Sequence, residues 1–122
     1  MGETRVTIRA SALRGEYTEP SEEIECIVDT GATVSTFPRK TLEKAGIFPL
    51  GKVPVRLADG RIVEKEYSEA QIELDGVSVP GIVLFGDENE PSLLGVTVLE
   101  MARFVVDPIE NKIVKKEYYQ QY

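Results

Sequence analysis

The alternation of apolar and polar positions predicts a chain built mainly of β-strands. Residues 4–10 (TRVTIRA) alternate with a period of two, which is typical of a strand with one buried face. After an irregular connection over residues 13–21, which contains Gly15 and Pro20, residues 22–28 predict a second strand. Residues 81–85 (GIVLF) are continuously apolar, so we expect them to form a buried strand.

Two short helices interrupt this pattern. Pro38 suits the first turn of a helix, because its missing N–H would be unpaired there anyway. Residues 39–45 follow it, and Gly46 is placed as the C-terminal stop. Residues 96–102 predict a second short helix, after the polar loop of residues 86–92.

Three hairpins are predicted from turn residues that lie between strand-like runs. Asp59-Gly60 separates residues 53–57 from residues 62–67, and Asp75-Gly76 separates residues 71–74 from residues 77–80. A last hairpin joins residues 104–106 to residues 112–116. A strand, a glycine turn and a short helix occur twice, around residues 29–45 and 82–102, as an internal pseudo-twofold layout would produce.

Length and composition favour one globular domain that spans residues 1–122. The net charge of −7 argues against nucleic acid as a ligand, because a polyanion would be repelled. No stretch approaches the roughly 20 apolar residues that span a bilayer, and the N-terminus has no signal-peptide pattern. We therefore expect a cytoplasmic protein without a membrane partner.

The residue types that are missing narrow the chemistry. The chain has no histidine and one cysteine, Cys26, which excludes Ser-His-Asp and Cys-His catalysis and the usual zinc ligand sets. We expect no metal and no cofactor, and we interpret Cys26, between apolar neighbours, as a small buried hydrophobe. The feature that remains is Asp29, which an apolar strand delivers into the turn Asp29-Thr30-Gly31.

Residues 26–32 (CIVDTGA) resemble the active-site loop of retropepsin-like aspartic proteases, the retroviral-type proteases of clan AA. Leu93-Leu94-Gly95 resembles the two apolar residues and glycine that open a helix in that family. The hairpin at residues 58–60 falls where the family has its flap, and order and spacing match from about residue 22 to residue 116. The resemblance implies a mostly β, retropepsin-like fold with a flap hairpin and one or two short helices, active as a twofold homodimer.

The implied activity is that of an aspartic endopeptidase. Since the chain has one such motif, the second carboxylate must come from Asp29 of another copy, at a twofold axis. Two carboxylates so close share one proton, as aspartic proteases in general show. The ionised member activates a water and the protonated member polarises the scissile carbonyl of a peptide or protein substrate.

The resemblance assigns roles around Asp29. Thr30 would join the two loops across the dimer axis, Gly31 would permit the tight turn, and Ala32 would keep the cleft floor small. Ser35 either hydrogen-bonds the Asp29 carboxylate or is a surface serine before a helix. Leu93, Leu94 and Gly95 would support the catalytic loop from beneath.

The candidate flap tip consists of Ala58, Asp59, Gly60 and Arg61. It departs from the family, whose flap tips are glycine-rich and apolar, and the charges suggest polar substrate contacts or a more open cleft. The segment either closes over substrate or is merely a hairpin. The C-terminal Tyr118, Tyr119 and Tyr122 either pack across the dimer or form a frayed tail.

Two other functions fit parts of the sequence. A catalytically silent, protease-like homodimer could bind peptides as a regulatory or interaction module, although the intact Asp29-Thr30-Gly31 argues against it. Asp-Thr-Gly also occurs in phosphate-handling loops of sugar-kinase and actin-like folds, but those need a longer chain and further nucleotide motifs.

Overall fold

The computed structural model describes residues 2–13 and 20–116 of the chain. The Tyr-rich C-terminus and most of the predicted connection over residues 13–21 lie outside the described residues. The strands are β1 (Arg5–Ala12), β2 (Ser21–Asp29), β3 (Ser35–Pro38), β4 (Gly51–Arg56), β5 (Ile62–Leu74), β6 (Val77–Gly86), β7 (Leu93–Gly95), β8 (Phe104–Asp107) and β9 (Lys112–Lys115). The helices are α1 (Arg39–Lys44) and α2 (Val96–Ala102).

The predicted hairpins and helices are confirmed. β4 pairs with β5, β5 with β6, and β8 with β9, each antiparallel. The β5–β6 turn places Asp75 and Gly76 at φ 51° and 84°, the left-handed conformation that makes Asp-Gly a hairpin turn. Gly46, at φ 78°, follows α1 and ends it as predicted. β5 and β6 are longer than the fragments predicted, because each joins two of them into one strand.

Two strands were not predicted. β3 was taken as the approach to a helix at Pro38, which in the structure caps α1 as the last residue of β3. β7 was taken only as the segment before α2. Each is four residues or shorter and pairs in parallel with a distant strand, β3 with β6 and β7 with β2. Such short runs carry too few positions for a period of two to be visible.

These parallel pairs give the fold an internal twofold layout. The seven-stranded sheet has the order β1-β2-β7-β3-β6-β5-β4. In one half β2 leads through a loop to β3 and α1, and in the other β6 leads through a loop to β7 and α2. The first strand of each half pairs with the second strand of the other, so the two halves interlock at the centre of the sheet.

One face of the sheet carries the hydrophobic core. Cys26, Phe37 and Leu94 point into it from the central strands, and Leu42 and Leu99 cover it from the two helices. Cys26 is buried as predicted, and burial, with a smaller contribution from the Glu25 charge, raises the pKa of its thiol to about 12. Neither helix within the described residues has the length and apolar character needed to cross a membrane.

Candidate active site

Asp29 is the last residue of β2, where the chain leaves the sheet for a tight turn. The backbone N–H of Ala32 donates to the Asp29 carbonyl at 3.1 Å, which closes the turn. The backbone N–H of Gly31 donates to Asp29 Oδ1 at 3.0 Å, which fixes one oxygen of the carboxylate. The side chain is half-buried, and its other oxygen is not engaged by this turn. The turn therefore fixes one carboxylate oxygen and leaves the other outside its own hydrogen bonds.

Gly31 lies against the carboxylate that it orients. A Cβ built at Gly31 would approach Asp29 Oδ1 to 3.3 Å, closer than nearly all real Cβ contacts. The φ of Gly31 is not in the left-handed region, so its backbone conformation does not require glycine, and a side chain at this position would press on the carboxylate that Gly31 orients. Thr30 is exposed at the top of the turn, and Ala32 is half-buried beside it.

A second backbone segment, residues 93–97, lies directly beneath this turn. Gly95 pairs with Asp29 in the parallel β2–β7 ladder, and Val96 N–H donates to the Ala32 carbonyl at 2.8 Å. Thr97 donates to the Thr33 carbonyl from its backbone N–H at 3.3 Å and also from its hydroxyl. We call residues 29–35 with residues 93–97 the platform.

Gly95 shows how closely the two platform segments approach. A Cβ at this position would lie 2.5 Å from the backbone carbon of Val34 and 2.9 Å from the carbonyl oxygen of Thr33. Only glycine leaves room for backbone against backbone here. Leu94, which precedes it, is fully buried in the core, while Leu93 is half-buried.

Ser35 differs from both interpretations made from the sequence. Its side chain is fully buried, so it is not a surface serine. Its hydroxyl accepts a hydrogen bond at 3.0 Å from the backbone N–H of Gly95, and no hydrogen bond joins it to Asp29 within the part of the chain described. This hydrogen bond joins the two platform segments. It also supplies an acceptor for the buried N–H of Gly95, which would otherwise have none.

Strand register places further residues on the face of Asp29. Asp29 and Ile27 alternate with the buried Cys26, Ile27 pairs with Leu93, and Leu93 pairs with Thr36. Thr36 continues the face to β6 and β5, because it pairs with Leu84 and Leu84 pairs with Tyr67. This site face runs opposite the core face across the sheet. Sequence reasoning missed Thr36, Leu84 and Tyr67, since only the register identifies them, and it missed Thr97, which only the hydrogen bonds to the Thr33 carbonyl identify.

The β4–β5 hairpin ends in a three-residue loop of common geometry. Gly60 N–H donates to the Leu57 carbonyl at 2.9 Å, and Leu57 N–H donates to the Arg61 carbonyl at 2.8 Å. Gly60 has φ 90°, so the loop is a type I turn followed by a left-handed residue, the arrangement of a G1 bulge. The predicted hairpin is thus present, with Ala58, Asp59, Gly60 and Arg61 exposed.

The two charges of the tip engage each other. Asp59 Oδ1 accepts from the backbone N–H of Arg61 at 2.9 Å, and Oδ2 accepts from Arg61 Nε at 2.7 Å. The backbone hydrogen bond and then the side-chain one hold the pKa of the Asp59 carboxyl below its ordinary value. The Asp59 carboxylate and the Arg61 guanidinium therefore form an ion pair with each other at the tip. Among the described residues, no group of three or more acidic, histidine or cysteine side chains is arranged to hold a metal ion.

Comparison with known protein families identifies the family of this chain. The family described as "gag-polyprotein putative aspartyl protease" matches residues 20–101, which include both platform segments and the hairpin. The chain belongs to this family of retroviral-type aspartic proteases. None of the curated proteins compared with it matches in sequence.

The solved structures agree on the fold. The chain is similar to the EIAV protease complexed with the inhibitor HBY-793, with a TM-score of 0.61 and 16% sequence identity. The match covers 82% of this chain and 88% of the viral one. At this identity the likeness shows the fold alone. The mostly β, retropepsin-like fold and the family predicted from the sequence are both confirmed.

Proposed function

We propose that the protein is an aspartic endopeptidase in which Asp29 of two identical chains forms the catalytic pair. The observation that carries the proposal is the placement of Asp29: a half-buried carboxylate, oriented by the Gly31 N–H, at the end of a central strand of this fold. The acting unit would be the single domain of residues 1–122, and the partner would be a second copy.

In the proposed dimer the two turns meet at the twofold axis. One Asp29 is ionised and takes a proton from a bridging water, while the other is protonated and hydrogen-bonds the scissile carbonyl. In this proposal Thr30, which is exposed, links the two turns, and the remaining platform residues hold them in position.

The substrate we propose is an extended peptide that lies on the site face, between Asp29 and the β4–β5 hairpin. Extended peptides bind such clefts mainly by backbone hydrogen bonds, with side-chain pockets that set preference. Leu93 and Tyr67 supply apolar surface on this face. In this proposal Ala58, Asp59, Gly60 and Arg61 cover the bound peptide and exclude water.

The test begins with Asp29→Asn, which keeps size and shape but removes the ionisable group. We expect kcat/KM on a fluorogenic peptide library to fall about a thousandfold or more, with an unchanged melting temperature. Asp75→Asn is the matched control, because Asp75 lies in the exposed β5–β6 turn. Wild-type activity in Asp29→Asn would refute the assignment, whereas pepstatin binding by an inactive wild type would favour the peptide-binding module.

Mixing experiments test the shared site. If each active site needs both copies of Asp29, a dimer that contains one Asp29→Asn chain is inactive. Equal amounts of wild-type and Asp29→Asn chains, allowed to exchange, should then show about half the activity of the same wild-type chain alone. If each site were complete within one chain, the mixture would keep all of the wild-type activity. Analytical ultracentrifugation on the same samples would show whether dimers form.

A further inference from the structure

A partly buried ion pair lies at the base of the β4–β5 hairpin. Lys65, on β5, donates from Nζ to Glu90 Oε1 at 2.5 Å, and Glu90 lies in the loop of residues 87–92 between β6 and β7. The Lys65 side chain is only 16% exposed and that of Glu90 is 35% exposed. Most ion pairs in the described residues have both partners far more exposed than this.

Strand alternation places Lys65 on the site face. Lys65 and Tyr67 are two positions apart on β5, so their side chains share a face, and Tyr67 pairs with Leu84 on the way to Asp29. Its neighbour Glu66 points to the opposite side and pairs with Arg39, whose guanidinium lies 5.0 Å from the centre of the Phe85 ring. Lys65 therefore extends from the hairpin along the cleft side of the sheet.

Glu90 is fixed by its own loop. The same Oε1 accepts the backbone N–H of Asp87 at 3.0 Å, and Glu90 N–H donates to the Asp87 carbonyl at 3.1 Å. Partial burial opposes ionisation of Glu90, but the hydrogen bonds from Lys65 and Asp87 outweigh it, and the pKa of the carboxyl lies below its ordinary value. Lys65 therefore pairs with a carboxylate whose position is held by the loop of residues 87–92 and not by the hairpin.

Beyond Lys65, towards its tip, the hairpin has a different kind of support. β4 pairs with β5 up to Arg56 and Ile62, and the hydrogen bonds described above for residues 57–61 stay within the loop. Since two-stranded ribbons are marginally stable alone, the angle of the hairpin above the sheet depends on contacts at its base. Lys65 makes such a contact, to the loop that leads directly into the platform segment of residues 93–97.

We propose that Lys65 and Glu90 are positioning residues that tie the base of the hairpin to the loop of residues 87–92 and so set how the hairpin closes over the site face. The kinetic part of this inference rests on the proposed peptidase function. The pair contacts no reacting atom; it acts through the hairpin, by fixing the distance between the covering segment and the surface on which a peptide lies.

A matched pair on the same loop separates this role from general charge effects. Lys40 and Glu88 are the same residue types, and they join α1 to the loop of residues 87–92. Their side chains are 75% and 66% exposed, and neither lies on the hairpin. Glu88→Gln removes an equal charge from the same loop, Lys40→Met removes an equal charge from its partner on α1, and both leave the Lys65 contact in place.

The experiment compares Lys65→Met and Glu90→Gln with Lys40→Met and Glu88→Gln, together with the double variant Lys65→Met/Glu90→Gln, in which the new amide side chain still offers an oxygen to the Asp87 N–H. Two readouts are used: KM and kcat on a cleaved library peptide, and hydrogen exchange of the hairpin amides over residues 52–66. We expect either single variant of the proposed pair to raise KM about fivefold with kcat little changed, and to speed hairpin exchange. The double variant should change both no more than either single variant does, and the control variants should alter neither.

Unchanged exchange and unchanged KM in Lys65→Met and Glu90→Gln would overturn the inference. Effects of the two single variants that add up in the double variant would also overturn it, because the side chains would then act separately. If the wild type cleaves no peptide, the proposed peptidase function fails. Hydrogen exchange of the hairpin amides and the affinity for pepstatin then still test whether Lys65 and Glu90 position the hairpin. The two failures are therefore distinguishable.

Discussion

Asp29 and Asp59 stand in similar local motifs and in very different surroundings. Each lies next to a glycine or one residue away from it, and each carboxylate accepts a backbone N–H from two residues further along, Gly31 at 3.0 Å and Arg61 at 2.9 Å. Asp29 is half-buried on the platform, whereas Asp59 is exposed at the hairpin tip. The hydrogen bond from the backbone to the carboxylate is nearly the same, so it does not distinguish a candidate catalytic acid from a loop residue.

What separates the two acids is the backbone beneath them. The turn of Asp29 rests on residues 93–97, through contacts that join parts of the chain about 60 residues apart in sequence. The turn of Asp59 is closed by hydrogen bonds among residues 57–61. A proposed catalytic carboxylate needs the first kind of support, because its geometry must be held when substrate binds, while a covering segment needs the freedom of the second.

The largest effect should come from Gly95→Ala, which breaks the platform. The added methyl group would meet the Val34 backbone at 2.5 Å, and backbone cannot rotate away as a side chain can. We expect the free energy of unfolding to fall by about 3 kcal/mol, measured in urea at fixed protein concentration.

Gly81→Ala is the control for Gly95→Ala. Its Cβ would approach only side-chain ends, of Ile72 and Val98, at 3.3 Å. These neighbours can give by a few tenths of an ångström, so the loss should stay below about 1 kcal/mol. Equal losses at the two glycines would show that the platform is not the tightly packed region that its geometry indicates.

Ser35→Ala should have the next largest effect. It leaves the buried N–H of Gly95 without its acceptor, which costs about 1–3 kcal/mol of stability. Ser78→Ala removes a hydroxyl that also accepts a hydrogen bond, from the Gln71 side chain, but at the surface, and should change stability by less than about 0.5 kcal/mol. Chemical denaturation of both variants measures the difference, and similar values would contradict a special role for Ser35.

The sequence predicted those features whose cause is local. Asp29 was identified because a strand pattern and a glycine turn adjoin it, and the hairpins because Asp-Gly favours left-handed turn conformations. The family resemblance then supplied the fold and assigned a supporting role to Leu93, Leu94 and Gly95, which the structure places beneath the turn.

The features that the sequence did not predict depend on distant partners. Ser35 was misplaced because its hydrogen-bond partner, Gly95, is 60 residues away. β3 and β7 were missed for the same reason, since their pairing in parallel with remote strands leaves no pattern in so few residues. Thr97 looks like any helix residue until its hydroxyl is seen to reach the Thr33 carbonyl. Local chemistry identified the candidate acid, and the fold identified what supports it.

Gly60→Ala tests the other side of the comparison with a smaller effect. At φ 90° an L-residue is strained by about 1 kcal/mol, but no atom lies within 4 Å of the added methyl group. We expect the loss to appear as faster amide exchange in residues 57–61, with little change in the core. Gly60→Asn should recover part of it, because asparagine tolerates the left-handed region better. A loss as large as that of Gly95→Ala would mean that the tip is not an independent element.

The smallest perturbation is chemical modification of two thiols, one on β2 and one introduced at the hairpin tip. Cys26 lies three residues before Asp29 on the core face, and because burial raises its pKa from 9.0 to about 12, it stays protonated at about pH 8 and should resist iodoacetamide in the folded protein. The cysteine introduced by Ala58→Cys at the exposed tip should react readily, and faster as pH rises towards its ordinary pKa. Mass spectrometry of the modified peptides reads both sites in one sample. Since the thiolate is the reactive form, modification of Cys26 at the rate of the tip cysteine would require β2 to open without global unfolding. A strand that opened so easily could not hold Asp29 in a fixed position.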